Sequence, residues 1–234
     1  MEFNRDSFIE GKLLLINKPI GWTSFQVVNK IRWLIKTTFD IKKIKVGHAG
    51  TLDPLAQGLL IICTGKLTKK IDEFQSANKG YSGTFFIGAT TPSFDLETQI
   101  DSKKSIKNIS LEKLNLISKK FLGISQQTPP IFSAIKVDGK KLYDYARKGE
   151  AVKIKKREIN IFKFNLRKVN LPLLDFEIEC SKGTYIRSIA NDFGKELKVG
   201  AYLQKLIRTS VGKFKLKDAL EIKDFEMKIK KKSR

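Results

Sequence analysis

Residues 47–58 read Gly47-His48-Ala49-Gly50-Thr51-Leu52-Asp53-Pro54-Leu55-Ala56-Gln57-Gly58. Three glycines and a proline in so short a stretch predict a shaped loop rather than regular helix or strand. Lys43 to Val46 reads as the end of a strand before it. The continuous apolar run Leu59-Leu60-Ile61-Ile62-Cys63 after it predicts a strand buried on both faces. A glycine-rich loop is thus clamped between two core elements, and it carries the chain's single histidine, His48, together with Asp53. Loop reach on a rigid scaffold is how a fold presents side chains for chemistry. Two plainer readings stand beside this one. Asp-Pro is a common helix start, with Asp as N-cap and Pro at the first helical position. A lone loop histidine is also often only a hydrogen-bonded residue.

The surroundings bound what the loop can belong to. A chain of 234 residues with 41% hydrophobic content is long enough to bury a real core. Its 46 Lys and Arg against 24 Asp and Glu leave a net charge of +22, which points to a polyanionic partner. Only eight of those cations are Arg, and the chain is also rich in Ile, Phe and Asn, so an AT-rich coding bias shares in the excess. Cys63 and Cys180 sit in apolar, strand-like runs, the pattern of buried thiols in a reducing compartment. The first residues carry acids and no apolar signal region, and no stretch approaches the ~18–20 apolar residues of a membrane span. The expectation is a soluble, cytoplasmic protein.

Along the chain, Gly11–Ile16 predicts a buried strand and Ser24 an N-cap for a helix to about Lys36. A helix is expected over Leu67–Gln75. Gly65-Lys66 is no phosphate loop, since G-x-x-x-x-G-K-[ST] would need Gly at position 60 and Ser or Thr at 67, and both are Leu. Tyr81 opens a strand. Ser110 caps a helix with Leu111, Leu114, Ile117 and Phe121 inward. Val137 to Lys140 is a hairpin-type turn. Arg157–Lys168 and Leu173–Cys180 alternate as antiparallel strands. A helix starts at Gly183-Thr184, with Ile186, Ile189 and Phe193 facing the core. Tyr185 and Arg187, two apart, would share a face on a strand-like entry to it. Val211–Leu216 is a last strand, and residues 227–234 a frayed basic tail. Between Lys136 and Lys168 lie twelve Lys or Arg and four Asp or Glu. Tyr143, Tyr145, Phe162 and Phe164 are interleaved with them, the mixture that RNA contact uses. A solvated Lys-rich face with core aromatics would read the same way.

Several stretches together resemble the TruB-type tRNA pseudouridine synthases. The loop is similar to that family's G-H-x-G-T-L-D-P-x-A-x-G. Lys18-Pro19, Gly21 and Thr23-Ser24 resemble its K-P-x-G-x-[ST]-S, and Lys79-Gly80-Tyr81 its K-x-Y. Residues 126–149 are similar to P-P-x-[FY]-S-A-x-K-x-x-G-x-x-x-Y-x-x-A-R-x-G, and residues 180–194 and 200–212 to its last elements. The resemblance runs from about Lys12 to Asp224. It implies an α+β pseudouridine synthase fold, a mainly antiparallel sheet flanked by helices with a central active cleft. It also implies one catalytic domain over residues 1–226 with an RNA-contacting region around 126–168. Many members carry a further C-terminal RNA-binding domain, so the expectation is the short form.

By the same resemblance Asp53 is the catalytic nucleophile and Tyr81 contacts the target base. His48 takes the space that the flipped nucleotide leaves, and Tyr185 lines the uridine pocket. Arg187 pairs with the catalytic carboxylate, and Leu206 stands at the pocket's apolar wall. Lys18, Lys136, Lys140, Lys141 and Arg147 are candidate RNA contacts. The implied substrate is the uridine at position 55 in the T-arm of tRNA, isomerised with no metal and no small-molecule cofactor, by a monomer with no membrane partner. A single His and two distant Cys offer no zinc site. Two other classes remain open. One is a non-catalytic tRNA-folding chaperone or RNA binder using the same cleft, which would not need Asp53. The other is a basic ribonucleoprotein component.

Overall fold

The computed structural model describes residues 3–231. Its elements in order are α1 (Arg5–Glu10), β1 (Leu13–Lys18), α2 (Ser24–Phe39), β2 (Val46–Ala49), β3 (Ala56–Thr64), α3 (Ile71–Ser76), β4 (Lys79–Ile87), β5 (Ala89–Thr90) and β6 (Ser102–Lys103). Then follow α4 (Leu111–Lys120), β7 (Gly123–Gln127), β8 (Lys136–Val137), β9 (Lys140–Lys141), α5 (Leu142–Lys148), β10 (Arg157–Asn170) and β11 (Leu173–Cys180). The last are α6 (Ile186–Leu197), β12 (Ala201–Val211), β13 (Phe214–Lys215) and α7 (Ile222–Lys230). The architecture is mixed α/β and the strand pairing mainly antiparallel, as the resemblance implies. The chain divides into two compact units, Met1–Tyr81 with Leu206–Arg234, and Ser82–Lys205.

In the first unit β3 is the organising strand. One edge pairs antiparallel with β1 from Gly58 to Cys63. Its other edge is shared: Ile61–Thr64 pair with β2, and Ala56–Gly58 pair in parallel with Leu206–Arg208 of β12. Alternation sends Leu60 and Ile62 into a core with Val28, Ile31 and Ile35 of α2 and Phe225 and Ile229 of α7. Leu59, Ile61 and Cys63 enter a second core with Val211 and the flanking Ile71 and Phe74. A strand serving two cores must be apolar at every position, which accounts for the uninterrupted run. Residues 50–55 join β2 to β3 at the point where β12 takes over the edge.

Four expectations for this unit are corrected. Thr23, not Ser24, caps α2, accepting the Gln26 N–H at 3.1 Å in a capping box. Residues 65–70 form a 3-10 turn, so the helix starts only at Ile71. Val211 ends β12 rather than opening a strand, and the short β13 follows it. Residues 222–230 are helical with Ile229 buried, so the tail does not fray at 227, and its last residues 232–234 lie outside the described residues.

The second unit holds the β10–β11 hairpin, with β7 on the far edge of β10. Phe85, Phe121, Phe164, Phe176 and Phe193 pack together over it. Ser110 caps α4 as expected, but Leu111 is exposed and only Leu114 and Ile117 of that face are buried. The turn at Asp138-Gly139 is formed with positive φ at both residues, joining β8 and β9.

Candidate active site

The loop after β2 has no helix, so Asp53-Pro54 is not a helix start. Its backbone is instead held at five consecutive carbonyls. Arg208 donates from Nη2 to Gly50 O at 3.0 Å and from Nη1 to Thr51 O at 3.4 Å. The Ser24 hydroxyl donates to Leu52 O at 3.1 Å and accepts the Leu52 N–H at 2.9 Å. Asp53 O accepts the Ala56 N–H at 3.1 Å. Pro54 O accepts the Gly21 N–H at 2.8 Å and the Lys18 ammonium at 3.4 Å. Ser24 is therefore a latch between α2 and the loop, a role incompatible with also capping the helix. Gly50 has φ +92°, and at Gly58, with φ +110°, a Cβ would come within 2.5 Å of Arg208 O. Two of the motif's glycines are thus required by backbone geometry and close approach. Asp53 itself is half-buried.

Two buried cations lie under this loop. Lys18 is 0% exposed, with its ammonium also donating to Pro19 O at 3.0 Å and Trp22 O at 2.5 Å. Burial pushes its pKa down to about 8; the Asp53 carboxylate opposes that shift and the Arg208 charge adds to it. So placed, Lys18 is not on a surface that meets a phosphate. Arg208 is 1% exposed and also donates from Nε to Leu59 O at 2.7 Å. Burial lowers its pKa, and electrostatic interaction with the nearby Tyr81 opposes that. His48 lies in β2 opposite Ile62, half-buried, with Nδ1 buried and unbonded among the described residues. Burial, then the Arg208 charge, hold its pKa below the ordinary value, so the imidazole is neutral at pH 7. Leu206 is buried opposite Ala56 at the start of β3. The first unit therefore gathers Lys18, His48, Asp53, Tyr81 and Leu206 around Arg208.

Tyr185 and Arg187 belong to the second unit. Tyr185 precedes α6, which begins at Ile186 rather than at Gly183-Thr184. Its backbone N–H donates to Gln127 Oε1 at 2.8 Å, its carbonyl accepts from Gln127 Nε2 at 3.0 Å, and Arg157 lies over its ring. Arg187 is buried, with Nε 3.4 Å from Asp95 Oδ2 and Nη1 donating to Phe132 O at 2.9 Å and Ser93 O at 3.3 Å. Lys136, Lys140 and Arg147 are exposed on the β8–β9–α5 segment. Lys141 donates to the Tyr143 hydroxyl at 2.9 Å, Lys141 and Arg147 both lie 5.2 Å from that ring, and Lys140 lies 5.8 Å from the Tyr145 ring. Lys141 and Arg147 thus gather at Tyr143 and Lys140 at Tyr145, while Lys136 faces Lys141 across the β8–β9 pair.

Sequence reading missed Arg208, the Ser24 latch and the Asp95–Arg187 pair. Only for Arg208 is there a usable signal: Leu206 and Arg208 alternate on one strand, which puts a charge in an otherwise buried series.

Comparison with known proteins adds the following. Residues 36–186 match the family described as "TruB family pseudouridylate synthase (N terminal domain)". The "tRNA pseudouridine synthase B" of Flavobacterium johnsoniae is 52% identical over 222 residues, 94% of this chain and 97% of that protein. Its namesake from Phocaeicola vulgatus is 52% identical over 219 residues, covering 94% and 93%. Among solved structures, a Cbf5-Nop10-Gar1 complex includes a chain superposing with a TM-score of 0.73 at 24% identity, over 99% of this chain and 61% of that one. An H/ACA RNP bound to a substrate RNA containing 2'-deoxyuridine gives 0.67 at 23%, over 94% and 53%. This chain thus spans little more than half the length of those structural neighbours, and the likeness to them is one of fold.

Proposed function

The chain belongs to the TruB family of pseudouridylate synthases, and from that premise we propose that it converts uridine to pseudouridine at position 55 in the T-loop of tRNA, with Asp53 as the nucleophile. In this isomerisation the N1–C1' bond of uridine breaks and a C5–C1' bond forms. The C5 proton leaves, N1 gains one, and composition is unchanged.

The observation that supports Asp53 is the fixing of all five carbonyls from Gly50 to Pro54. A nucleophile gains most from a backbone that does not move, because misplacement by about 1 Å costs on the order of 100-fold. The Lys18 ammonium lies close enough to the carboxylate for Asp53 to oppose the lowering of its pKa by burial, so a buried positive charge sits at the nucleophile. Tyr81 meets the base, Leu206 supplies an apolar wall, and neutral His48 stacks where the extruded nucleotide was. Flipping the uridine out costs a few kcal/mol, which contacts to the remaining RNA offset. The segment that carries Lys136, Lys140, Lys141 and Arg147 beside Tyr143 and Tyr145 has the chemistry to supply them. The assignments of Tyr185 to the uridine pocket and of Arg187 to the catalytic carboxylate rest on the family resemblance, as does action by a cytoplasmic monomer over residues 1–226 as one catalytic domain.

The test is to incubate the protein with an unmodified tRNA transcript and map pseudouridine by carbodiimide adducts and primer extension. One new stop, at the T-loop uridine, is expected. Conversion only at other positions overturns the site assignment. Tight binding without conversion anywhere overturns the enzymatic reading in favour of an RNA-folding role.

A further inference from the structure

The segments that meet at the Asp53 loop carry large apolar side chains that the core does not use. The Gly21 N–H donates to Pro54 O at 2.8 Å, and the Lys18 ammonium donates to both Trp22 O and Pro54 O. The Ser24 hydroxyl ties the start of α2 to Leu52 through the Leu52 N–H and carbonyl. These bonds hold the backbone of residues 20–25 alongside residues 52–55, all within the first compact unit. On that backbone Ile20 and Phe25 are 59% and 64% exposed, and Trp22 and Leu55 are each more than a third exposed, so none of the four is core. The core beneath α2 is filled by Val27, Val28, Ile31 and Ile35 instead. Large apolar side chains gathered at one place on a surface mark a contact with a partner. The charge pattern says which chemistry that partner offers. In a chain with 46 Lys and Arg, residues 19–29 hold no charged residue, and the only Asp, Glu, Lys or Arg in residues 46–65 is Asp53. This surface therefore has flat and aliphatic groups but no exposed cation to hold a phosphate.

We propose that Ile20, Trp22, Phe25 and Leu55 form a binding surface for the nucleobases next to the target uridine in the RNA loop. This rests on the functional reading above and deepens it. Asp53 must touch the target nucleotide, so exposed side chains on the backbone bonded to its loop meet the nucleotides on either side. Extruding the uridine takes a stacking partner from each neighbour and bares its face. Bases bared in this way are held by stacking on aromatic side chains, here Trp22 and Phe25, with Ile20 and Leu55 adding aliphatic contact. The bond from Lys18 to the Trp22 carbonyl fixes the backbone that bears the indole, which lowers the ordering cost of binding.

The test uses the full chain with Trp33→Phe, which leaves Trp22 as its only tryptophan. An unmodified T-arm hairpin RNA is titrated into it, and separately the same strand annealed to its complement, a duplex with no open bases. Trp22 emission is expected to fall on binding the hairpin and to stay unchanged with the duplex. In the otherwise wild-type chain, Trp22→Ala and Phe25→Ala should each raise the hairpin Kd about fivefold or more. The slope of log Kd against log salt should stay that of wild type, because no phosphate contact is lost. Thermal unfolding is measured for each variant, and Phe25→Ala, at the more exposed position, decides the matter if Trp22→Ala does not fold. Unmoved Trp22 emission, an unchanged Kd in folded Phe25→Ala, a shallower salt slope, or an equal loss of affinity for the duplex overturns the proposal. Failure of the wild type to bind the hairpin overturns it as well. If these changes are seen but the wild type makes no pseudouridine, the functional reading fails and the base-binding surface stands. Pseudouridine formed with none of these changes keeps the functional reading and removes the surface.

Discussion

Ser24→Ala removes the latch between α2 and the Asp53 loop while leaving the helix cap in place. Ser24 is 2% and Leu52 4% exposed, and one hydroxyl serves both the N–H and the carbonyl of Leu52. Each buried backbone group left without a partner costs about 1–3 kcal/mol. The better helix propensity of Ala returns about 0.5 kcal/mol. If the loop stayed in place the loss would be about 2–5 kcal/mol, and the loop avoids part of it by opening at Leu52 to water. The cost then appears as displacement of Asp53, the next residue. The expected result is a fall of about 2 kcal/mol in unfolding free energy and a single-turnover rate lower by about tenfold or more, with tRNA Kd unchanged. Thr23→Ala is the matched control, because it deletes a cap whose hydroxyl bonds Gln26 alone among the described residues. It should cost about 1 kcal/mol and leave the rate within about twofold. Denaturant unfolding and rapid-quench pseudouridine assays read both quantities. If Ser24→Ala merely repeats Thr23→Ala, the carbonyl latch does not position Asp53.

Two further predictions come from the same neighbourhood. Gly58→Ala combines φ +110° with a backbone clash at 2.5 Å and should lose about 3 kcal/mol of stability and most activity. At Gly139, with φ +80° and nothing within 4 Å, the same change should cost only about 1 kcal/mol, and equal effects would show that Gly58 is not tightly packed. Lys18 gives a pH dependence. Its folded pKa of about 8 lies below the unfolded 10.5, so the charged form is the one that folding penalises. Below pH 8 both states hold the proton and the penalty is complete; between 8 and 10.5 the unfolded chain binds more protons, and stability contributed at this site rises with pH. The unfolding free energy of the wild type minus that of Lys18→Met should therefore increase by at most about 3 kcal/mol from pH 7 to 10.5. A difference that stays flat across that window contradicts burial of a charged Lys18.

What could be seen in advance depended on how local its cause is. The doubly buried run, the β10–β11 hairpin and the Asp138-Gly139 turn each follow from neighbouring residues and each formed as expected, whereas of the Gly47–Gly58 stretch only residues 50–55 are loop, because strands β2 and β3 take its two ends. Thr23 and Ser24 are both good caps in sequence; the choice between them was made by Leu52, far along the chain, which recruits Ser24. Lys18 was a candidate RNA contact, yet carbonyls of Pro19, Trp22 and Pro54 enclose it. His48 was expected in the loop, but pairing with Ile62 extends β2 through it. Arg208 escaped notice. Its partners come from residues 50, 51 and 59, and only the tertiary fold brings them together.

The most direct measurement compares wild type with Asp53→Asn on an unmodified tRNA transcript under single-turnover conditions, with tRNA affinity determined separately. The account predicts that wild type forms pseudouridine in the T-loop. It also predicts that Asp53→Asn binds the tRNA equally well and forms none, since the amide keeps the shape and lacks the nucleophilic carboxylate. Pseudouridine formed by Asp53→Asn at a rate near that of wild type would contradict it.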